Sequence, residues 1–406
     1  MIDELVAEHG SPLWLVDLDR LRERLNEFRA GWQAAWPDVE VAYSYKTNRL
    51  PAILRAIADE GAGAEVVCCA EYAIARDVIG HDGESIVVNG PAKPATLIQR
   101  AAGDGALLIA DSAAELPALA AAGAQRVGLR VSLPGVGVGP SRFGIEPDAI
   151  VAAAREARAL GLTVEILSAH LVSTGFAHAL GDGNLAGAIR VEWPPAPERH
   201  VRAAALLADL ARETAIGCVD LGGGHPPAPG LEPHASAIAA ALRERGFGGR
   251  LLLEPGRAIV ADAVALALTV VAVKRLADGT RCVIVDGGTN LLPAALWGWP
   301  RIEAVEPTTG RHEPTLVTGP LCLNVDVLGP AVALPVVEPG DVLLALAVGA
   351  YQQSQSTGFG EARPAVVGRE DGGWRLIARG ETIADLTAGD LAARSAAGIA
   401  IEEERP

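Results

Sequence analysis

The feature that most constrains the fold is a regular alternation of short apolar segments with longer amphipathic ones. Eight apolar segments are predicted to be buried strands, at 40–46, 63–67, 85–89, 106–110, 126–132, 164–171, 217–221 and 250–254. Most of the intervening segments have helical spacing, at 51–60, 70–79, 113–122, 147–160, 201–214 and 233–245. Eight strands that alternate with helices are typical of a closed parallel barrel rather than an open sheet. The predicted fold class is therefore α/β, with a (β/α)₈ TIM-like barrel.

The sequence pattern changes after Gly256. Further segments predict strands at 264–273, 281–285, 315–318, 341–347 and 374–377, separated by turns rich in Gly, Pro and Asp. This pattern is typical of a mostly antiparallel β domain. An early strand predicted at 12–17 precedes the barrel and is expected to join that second domain. We therefore expect a barrel over 25–262 and a β domain made of 1–24 and 263–406.

Charge and cysteine usage restrict the partners and the compartment. The 406 residues carry 34 Lys and Arg against 50 Asp and Glu, a net charge of −16. Nucleic acids and anionic membranes both require a basic face, so neither is an expected partner. The 5 cysteines lack metal-ligand spacing, and the opening MIDELVAEHG lacks the basic start and apolar core of a signal peptide. We expect a reduced, cytoplasmic protein without a metal site.

Three strand ends carry groups that indicate chemistry. Lys46 ends the first barrel strand, where a buried amine is costly unless it has a partner or reacts. Gly222-Gly223-Gly224 follows the seventh strand, and Glu254-Pro255-Gly256-Arg257 follows the eighth. In such barrels the loops after strands seven and eight commonly bind phosphate, and glycine amides can close on an anion without a Cβ in the way. The alternative for the glycines is a plain turn.

A strand-end lysine, a phosphate loop and a carboxylate together suggest pyridoxal phosphate as the cofactor. Lys46 would form a Schiff base with its aldehyde, and Glu254 would keep the ring nitrogen protonated so that the ring withdraws electrons. His170 ends the sixth strand, where its imidazole could lie against the ring. Two plainer interpretations stay open: His170 as a hydrogen-bonded core histidine, and Glu254 in an ion pair with an arginine such as Arg257.

With these residues in place, the chain resembles the fold-type III pyridoxal-phosphate-dependent decarboxylases, the group of diaminopimelate, ornithine and arginine decarboxylases. The matching stretches run in order from one end to the other: Tyr45-Lys46-Thr47-Asn48, Gly63-Ala64-Glu65-Val66-Val67 with Glu71, Asp111-Ser112 with Glu115-Leu116, Ser141-Arg142-Phe143-Gly144-Ile145, His170, Gly222–Gly224, Glu254–Arg257, Asp286-Gly287-Gly288, Gly319-Pro320-Leu321-Cys322 with Asp326, Gly349-Ala350-Tyr351 and Arg363-Pro364-Ala365. The resemblance implies an amino-acid decarboxylase, most similar to the branch in specialised metabolism.

The resemblance also implies roles for single residues. Lys46 would carry the cofactor, His170 would stack on its ring, and Glu254 would pair with the ring nitrogen. Arg257 would lie between phosphate and substrate. Cys322 would reach the active site of a second subunit of a homodimer and return a proton to the substrate. The remaining implied contacts are Gly222, Gly223, Gly224, Gly256 and Tyr351 to the phosphate and Asp326 to the substrate.

Departures from the family pattern concern the substrate. The acidic residue that usually follows the equivalent of Cys322 is Leu323 here, with Asn324 next, and the segment 286–297 lacks the usual arginine. Both groups would recognise a charged distal end. We therefore expect a larger or less charged substrate, free or carrier-bound, of a siderophore or antibiotic pathway. Trp297, Trp299 and the long loop at 175–200 would accommodate it. At its length that loop is expected to be either a functional lid or partly disordered.

Other functions stay open at this point. One is meso-diaminopimelate decarboxylation in lysine biosynthesis. Another is a racemase on the same barrel, although such enzymes typically use a catalytic tyrosine in the β domain. The third is a non-enzymatic cofactor-binding homologue, although such relatives usually lack the cysteine or the lysine, and both Cys322 and Lys46 are present.

Overall fold

The computed structural model describes residues 1–133, 141–171, 174–176, 189–191, 197–228, 230–296, 298–305 and 311–388. Its larger unit is a closed barrel of eight parallel strands. The first strand of the chain, β1 (Leu13–Asp17), is not part of the barrel. The barrel strands are β2 (Val39–Ser44), β3 (Gly63–Val66), β4 (Ile86–Val88), β5 (Leu107–Ala110), β6 (Arg126–Arg130), β7 (Thr163–Ser168), β10 (Cys218–Asp220) and β11 (Arg250–Leu253). A short antiparallel pair, β8 (Thr174–Phe176) with β9 (Ile189–Val191), follows β7.

Most of the helices lie between successive strands, whereas α1 precedes β1 and α11 follows the last strand. They are α1 (Ile2–His9), α2 (Leu18–Ala35), α3 (Pro51–Asp59), α4 (Cys69–Ala73), α5 (Ala95–Gly103), α6 (Leu116–Ala121), α7 (Ile150–Ala159), α8 (Pro197–Thr214), α9 (Leu231–Glu244), α10 (Arg257–Val260) and α11 (Ile383–Thr387). In α2 the buried side chains recur at helical spacing: Leu18, Leu21, Leu25, Phe28 and Trp32. The Asp17 carboxylate accepts from the Arg20 amide at 2.9 Å and begins this helix. In the part of the chain that the structure describes, no helix is long and apolar enough to cross a membrane.

The second unit is a mostly antiparallel sheet. Its strands after the barrel are β12 (Val264–Arg275), β13 (Arg281–Val285), β14 (Arg301–Ala304), β15 (Glu313–Thr318), β16 (Val327–Leu334), β17 (Val342–Leu346), β18 (Val366–Glu370) and β19 (Gly373–Ala378). The order along the sheet is β16-β15-β13-β12-β1-β18-β19, and β17 pairs with both β12 and β14. Strand β1 lies between β12, with Leu13 opposite Ala267, and β18.

The predicted fold class is confirmed, and the early strand does join the second sheet. The sequence did not predict β14, β16 or β18. Strand β16 contains Gly329 and Pro330, which usually interrupt strands, and it tolerates them because it lies at the edge of its sheet. The domain boundaries stay a prediction, and the one at 24/25 falls inside α2. Most of the expected lid at 175–200, and Trp297, lie outside the described residues.

Candidate active site

Lys46 and Glu65 form the central ion pair at the carboxyl end of the barrel. Strand β2 ends at Ser44, two residues earlier than predicted, and Lys46 lies in the turn that follows. Its Nζ is 2.5 Å from Oε2 of Glu65, which is fully buried on β3. Burial alone would lower the pKa of the Lys46 amine, but the Glu65 and Glu254 carboxylates outweigh it and raise that pKa to about 12. Lys46 is thus held as an ammonium in the protein alone.

An asparagine links this pair to the opposite side of the barrel. The Asn89 amide, just after β4, donates to Oε1 of Glu65 at 3.2 Å and to Oε1 of Glu254 at 2.6 Å. The hydroxyl of Ser44 donates to Oε2 of Glu65 at 2.6 Å. Burial would raise the pKa of Glu65, yet Lys46 and the Ser44 hydroxyl lower it below its usual value. Glu65 therefore stays ionised in a closed polar network.

Glu254 lies near a histidine, His170, and an aspartate, Asp220. His170, two residues beyond the end of β7, has its Nδ1 3.7 Å from Oε2 of Glu254. Asp220, at the end of β10, is fully buried, and burial followed by the nearby Glu254 carboxylate raises the pKa of Asp220 well above its usual value. Its oxygens accept from the Ser168 hydroxyl at 2.6 Å and from the Gly222 amide at 2.7 Å. The raised pKa favours the neutral form of Asp220 beside the Glu254 carboxylate.

The glycine loop after β10 approaches these groups closely. Gly222 and Gly224 have φ of +61° and +87°, a region that favours glycine. A Cβ on Gly222 would lie 2.6 Å from Nδ1 of His170, and one on Gly223 would lie 2.8 Å from the carbonyl oxygen of Glu254. The Gly223 amide donates to Nδ1 of His170 at 3.2 Å. Glycine is therefore needed for the close approach of this loop to His170 and Glu254. A plain turn would not require that approach.

A second group of predicted residues lies beside Thr47. The Tyr351 amide donates to the Thr47 carbonyl at 2.8 Å, and Tyr351 has a φ of +64°. The Arg257 guanidinium lies over the Tyr351 ring, 5.2 Å from its centroid. A Cβ on Gly256 would clash with Oγ1 of Thr47, a buried atom with no hydrogen-bond partner among the described residues. Gly256, Arg257 and Tyr351 are thus brought together next to the turn that carries Lys46.

The two predicted site residues of the β domain, Cys322 and Asp326, differ in their exposure to solvent. Cys322 is exposed in the single chain. Asp326 is buried, and its carboxylate accepts from the Thr289 amide at 2.7 Å, the Thr289 hydroxyl at 3.1 Å and the Leu321 amide at 2.8 Å. It thereby ties the loop of Cys322 to the segment after Asp286. Both carboxylate oxygens of Asp326 already accept hydrogen bonds from Thr289 or Leu321. Direct contact of Asp326 with the substrate stays a prediction.

Glu65, Asn89 and Asp220 were assigned no role from the sequence, although each is central to the network. The available signal was a carboxylate or amide within or just after a buried strand, which is rare without a partner. The plain interpretation of Glu254 as a partner of Arg257 is not what the contacts show, since its oxygens face Asn89 and His170.

The assembled donors fit pyridoxal phosphate. An amine beside a carboxylate, a buried anion near an imidazole, and a glycine cradle at the seventh and eighth strand ends are the groups that its aldehyde, ring and phosphate require. Lys46 would hold the aldehyde, Glu254 the ring nitrogen, and the glycine amides the phosphate. The arrangement supports amino-acid chemistry that stabilises negative charge at Cα.

Comparison with known proteins gives a consistent result. The family model described as pyridoxal-dependent decarboxylase, pyridoxal binding domain, matches residues 20–181. A diaminopimelate decarboxylase of Actinosynnema pretiosum subsp. auranticum is 33% identical over 421 residues, covering 94% of this chain and 89% of the relative. A diaminopimelate decarboxylase of Deinococcus radiodurans is 29% identical over 409 residues, covering 96% and 98%.

Solved structures share the fold over the whole chain. Diaminopimelate decarboxylase from M. jannaschii in co-complex with L-lysine superposes with a TM-score of 0.84 at 25% identity, covering 96% of this chain and 94% of that one. The enzyme from Helicobacter pylori complexed with L-lysine gives a TM-score of 0.83 at 23% identity, covering 98% and 100%.

Proposed function

We propose that this chain, which belongs to the family of fold-type III pyridoxal-phosphate-dependent decarboxylases, releases CO₂ from meso-diaminopimelate. It is a pyridoxal-phosphate-dependent carboxy-lyase, as its family and relatives show. The observation that carries the substrate is the 33% identity, over 94% of the chain, to a diaminopimelate decarboxylase. Removal of one carboxylate from meso-diaminopimelate leaves lysine, the molecule bound in two of the solved structures of similar fold.

The proposed roles follow from the geometry. When bound, pyridoxal phosphate supplies an electron sink for the pair of electrons that CO₂ leaves behind. Lys46 attaches the cofactor, and Glu65 keeps the Lys46 nitrogen oriented. Glu254, whose carboxylate accepts from the Asn89 amide, would pair with the protonated ring nitrogen. The ring of His170 lies beside Glu254, where it would stack on the cofactor ring and limit its position.

The loop of Gly222, Gly223 and Gly224 together with Gly256 would lie against the phosphate, since no side chain of theirs would obstruct it. The Gly222 and Gly223 amides already donate to Asp220 and His170, so the Gly224 and Gly256 amides are the candidate phosphate donors. Arg257 and Tyr351 lie at the same edge, in contact with one another. There Arg257 supplies positive charge between the phosphate and the substrate carboxylate.

We further propose that the enzyme is a homodimer in which Cys322 completes the active site of the partner and returns a proton to Cα. The apolar side chains near this cysteine support an interface: Leu323, Val325 and Phe359 are 41%, 61% and 50% exposed in the single chain. A Cβ on Gly360 would lie 3.1 Å from the Leu321 side chain, so the segments around 321 and 359 adjoin each other. Burial between two chains would remove this surface from water.

A second candidate substrate has specific support. Leu323 and Asn324 follow Cys322, and no arginine occurs in 286–297, so this chain lacks two charged groups expected for a diamino diacid. An amino acid with a less charged distal end, free or carrier-bound, is therefore the alternative. Its placement in a siderophore or antibiotic pathway receives no support from the relatives compared above, which are named diaminopimelate decarboxylases.

The experiment that tests the proposal is CO₂ release by the cofactor-loaded enzyme across a substrate panel. The panel contains meso-diaminopimelate, ornithine, arginine, and amino acids with uncharged distal groups, both free and carrier-linked, with Lys46→Ala as the control. We expect meso-diaminopimelate to react fastest and to yield lysine. Faster turnover of a substrate with a neutral distal end would transfer the assignment to the second candidate. Exchange of the α-proton without CO₂ would identify a racemase and overturn decarboxylation altogether, and neither CO₂ release nor α-proton exchange with any substrate would identify a non-enzymatic binding homologue.

A further inference from the structure

Three histidines meet behind the glycine loop, outside the network around Lys46. His200 lies on α8, His225 follows Gly224, and His234 lies on α9. All three are buried, with exposed fractions of 0%, 0% and 4%. Their rings pack closely, with centroids 4.5 Å apart for His200 and His225 and 4.7 Å apart for His200 and His234. None of them has a role in the proposed decarboxylation.

Two backbone carbonyls determine which nitrogens of this cluster are free to bind a ligand. Nε2 of His200 is 3.1 Å from the Gly223 carbonyl oxygen, and Nε2 of His225 is 3.1 Å from the Gly222 carbonyl oxygen. A carbonyl only accepts, so both Nε2 atoms carry the hydrogen. All three rings are buried, which disfavours the charged imidazolium form. The Nδ1 atoms of His200 and His225 therefore present lone pairs.

These lone pairs converge. Nδ1 of His225 is 3.3 Å from Nε2 of His234. One ring nitrogen of each histidine lies within 4.8 Å of the other two. Nδ1 of His200 has no hydrogen-bond partner among the residues that the structure describes. A buried acceptor without a partner is unfavourable, so this nitrogen favours a ligand that the neighbouring side chains do not supply.

We propose that His200, His225 and His234 bind a divalent transition-metal ion of the Zn²⁺ class. Neutral imidazoles are its usual nitrogen ligands, and each such ligand typically donates its other N–H to a carbonyl or carboxylate, as the Gly222 and Gly223 carbonyls provide here. Tetrahedral Zn–N bonds of about 2.0–2.1 Å place two nitrogens about 3.3 Å apart, the separation of His225 and His234. His234 keeps its own proton on Nδ1, and water or a small anion completes the four ligands.

The alternative is a histidine cluster held only by hydrogen bonds and ring packing. That alternative accounts for His225, since both of its ring nitrogens have hydrogen-bond partners. It also accounts for the edge-on packing of His225 against Trp32, whose ring centroid lies 5.2 Å from that of His225. It leaves Nδ1 of His200 without a partner, whereas a metal ion satisfies all three rings at once. Because the orienting carbonyls belong to the glycine loop, a bound ion would also rigidify the proposed phosphate cradle.

The test uses the full-length protein with and without bound pyridoxal phosphate, stripped of metal with a chelator. Titration with Zn²⁺ followed by calorimetry is expected to give one ion per chain. Co²⁺ is expected to give the intense visible absorption of a tetrahedral nitrogen site, without the charge-transfer band of a thiolate ligand. His234→Gln and His200→Gln should each weaken Zn²⁺ binding at least about 100-fold, whereas the exposed His312→Gln should match the wild type.

The inference is overturned if the wild type binds no Zn²⁺ or Co²⁺, or binds it with a six-coordinate or thiolate spectrum. It is equally overturned if both glutamine variants bind as the wild type does. The wild-type spectrum decides the question even if a variant fails to fold, which circular dichroism would reveal. The outcome does not depend on decarboxylation, because ion binding is measured directly and in the absence of substrate.

Discussion

The amine of Lys46 and the carboxylate of Glu65 lie 2.5 Å apart, and this contact sets the charge of the lysine before any cofactor binds. The Glu65 charge raises the pKa of Lys46 to about 12, so only a small fraction of the amine is neutral near pH 8. Glu65 also accepts from Ser44 and Asn89, which connects the lysine to Glu254 across the barrel.

Glu65→Gln is expected to speed attachment of the cofactor while reducing turnover. Without the Glu65 carboxylate, burial is opposed mainly by Glu254, so the pKa of Lys46 falls and the neutral fraction of the amine rises. The rate at which cofactor-free protein gains the visible absorbance of bound pyridoxal phosphate at about pH 8 measures this. Glu71→Gln, at a buried glutamate bonded to the Val67 amide, is the control and should change little. An unchanged rate in Glu65→Gln would refute the role of this ion pair.

Gly223→Ala is expected to weaken cofactor binding and stability together. The new Cβ would lie 2.8 Å from the carbonyl oxygen of Glu254, a backbone atom that cannot move independently of the site. We expect a loss of about 1–3 kcal/mol in the free energy of unfolding and a dissociation constant for pyridoxal phosphate raised at least about tenfold. Chemical denaturation and a cofactor titration measure the two effects.

Gly248→Ala is the matched control for this substitution. A Cβ there meets no atom within 4 Å, and its backbone does not adopt a positive φ. Equal losses in the two variants would show that the glycine loop has no special steric requirement.

Asp220→Asn should remove a pH dependence of stability. The pKa of Asp220 in the folded protein is raised above its unfolded value of 3.8. Its contribution to stability is therefore fully present below that value and is lost as pH rises toward the folded pKa. Subtracting the unfolding free energy of the variant from that of the wild type should give a difference that declines from pH 4 upward. A flat difference between pH 4 and pH 8 would mean that Asp220 is ionised in the folded protein.

Shared active sites predict recovery of activity in mixed dimers. Lys46→Ala and Cys322→Ala should each be nearly inactive alone. Unfolded together and refolded as an equal mixture, they should regain about one quarter of the wild-type activity, since half the dimers are mixed and each contains one intact site. Lys46→Ala mixed with His170→Ala should regain none, because both residues come from the same barrel. Mixed dimers without activity would place Cys322 outside the partner's site.

Lys46, Gly222 to Gly224 and Glu254 are site residues that the sequence alone could predict. Their positions after apolar segments made them recognisable as strand ends, and a parallel barrel brings all its strand ends to one side. Asn89 and Asp220 could not be assigned in the same way. Asn89, just after β4, is identified as a site residue only by its hydrogen bonds to Glu65 and Glu254. Asp220, at the end of β10, is identified only by its hydrogen bonds with Ser168 and Gly222.

The sequence by itself determined the alternation of strands and helices, and with it the barrel, the second sheet and the residues at the barrel mouth. Local patterns suffice for this because burial and backbone preference act over a few neighbouring residues. The tertiary structure alone decided the charges and contacts: Lys46 paired with Glu65, a neutral Asp220 beside Glu254, and three histidines from separate elements in one cluster. Those properties depend on distances between residues far apart in the chain and on removal from water, neither of which a linear pattern contains.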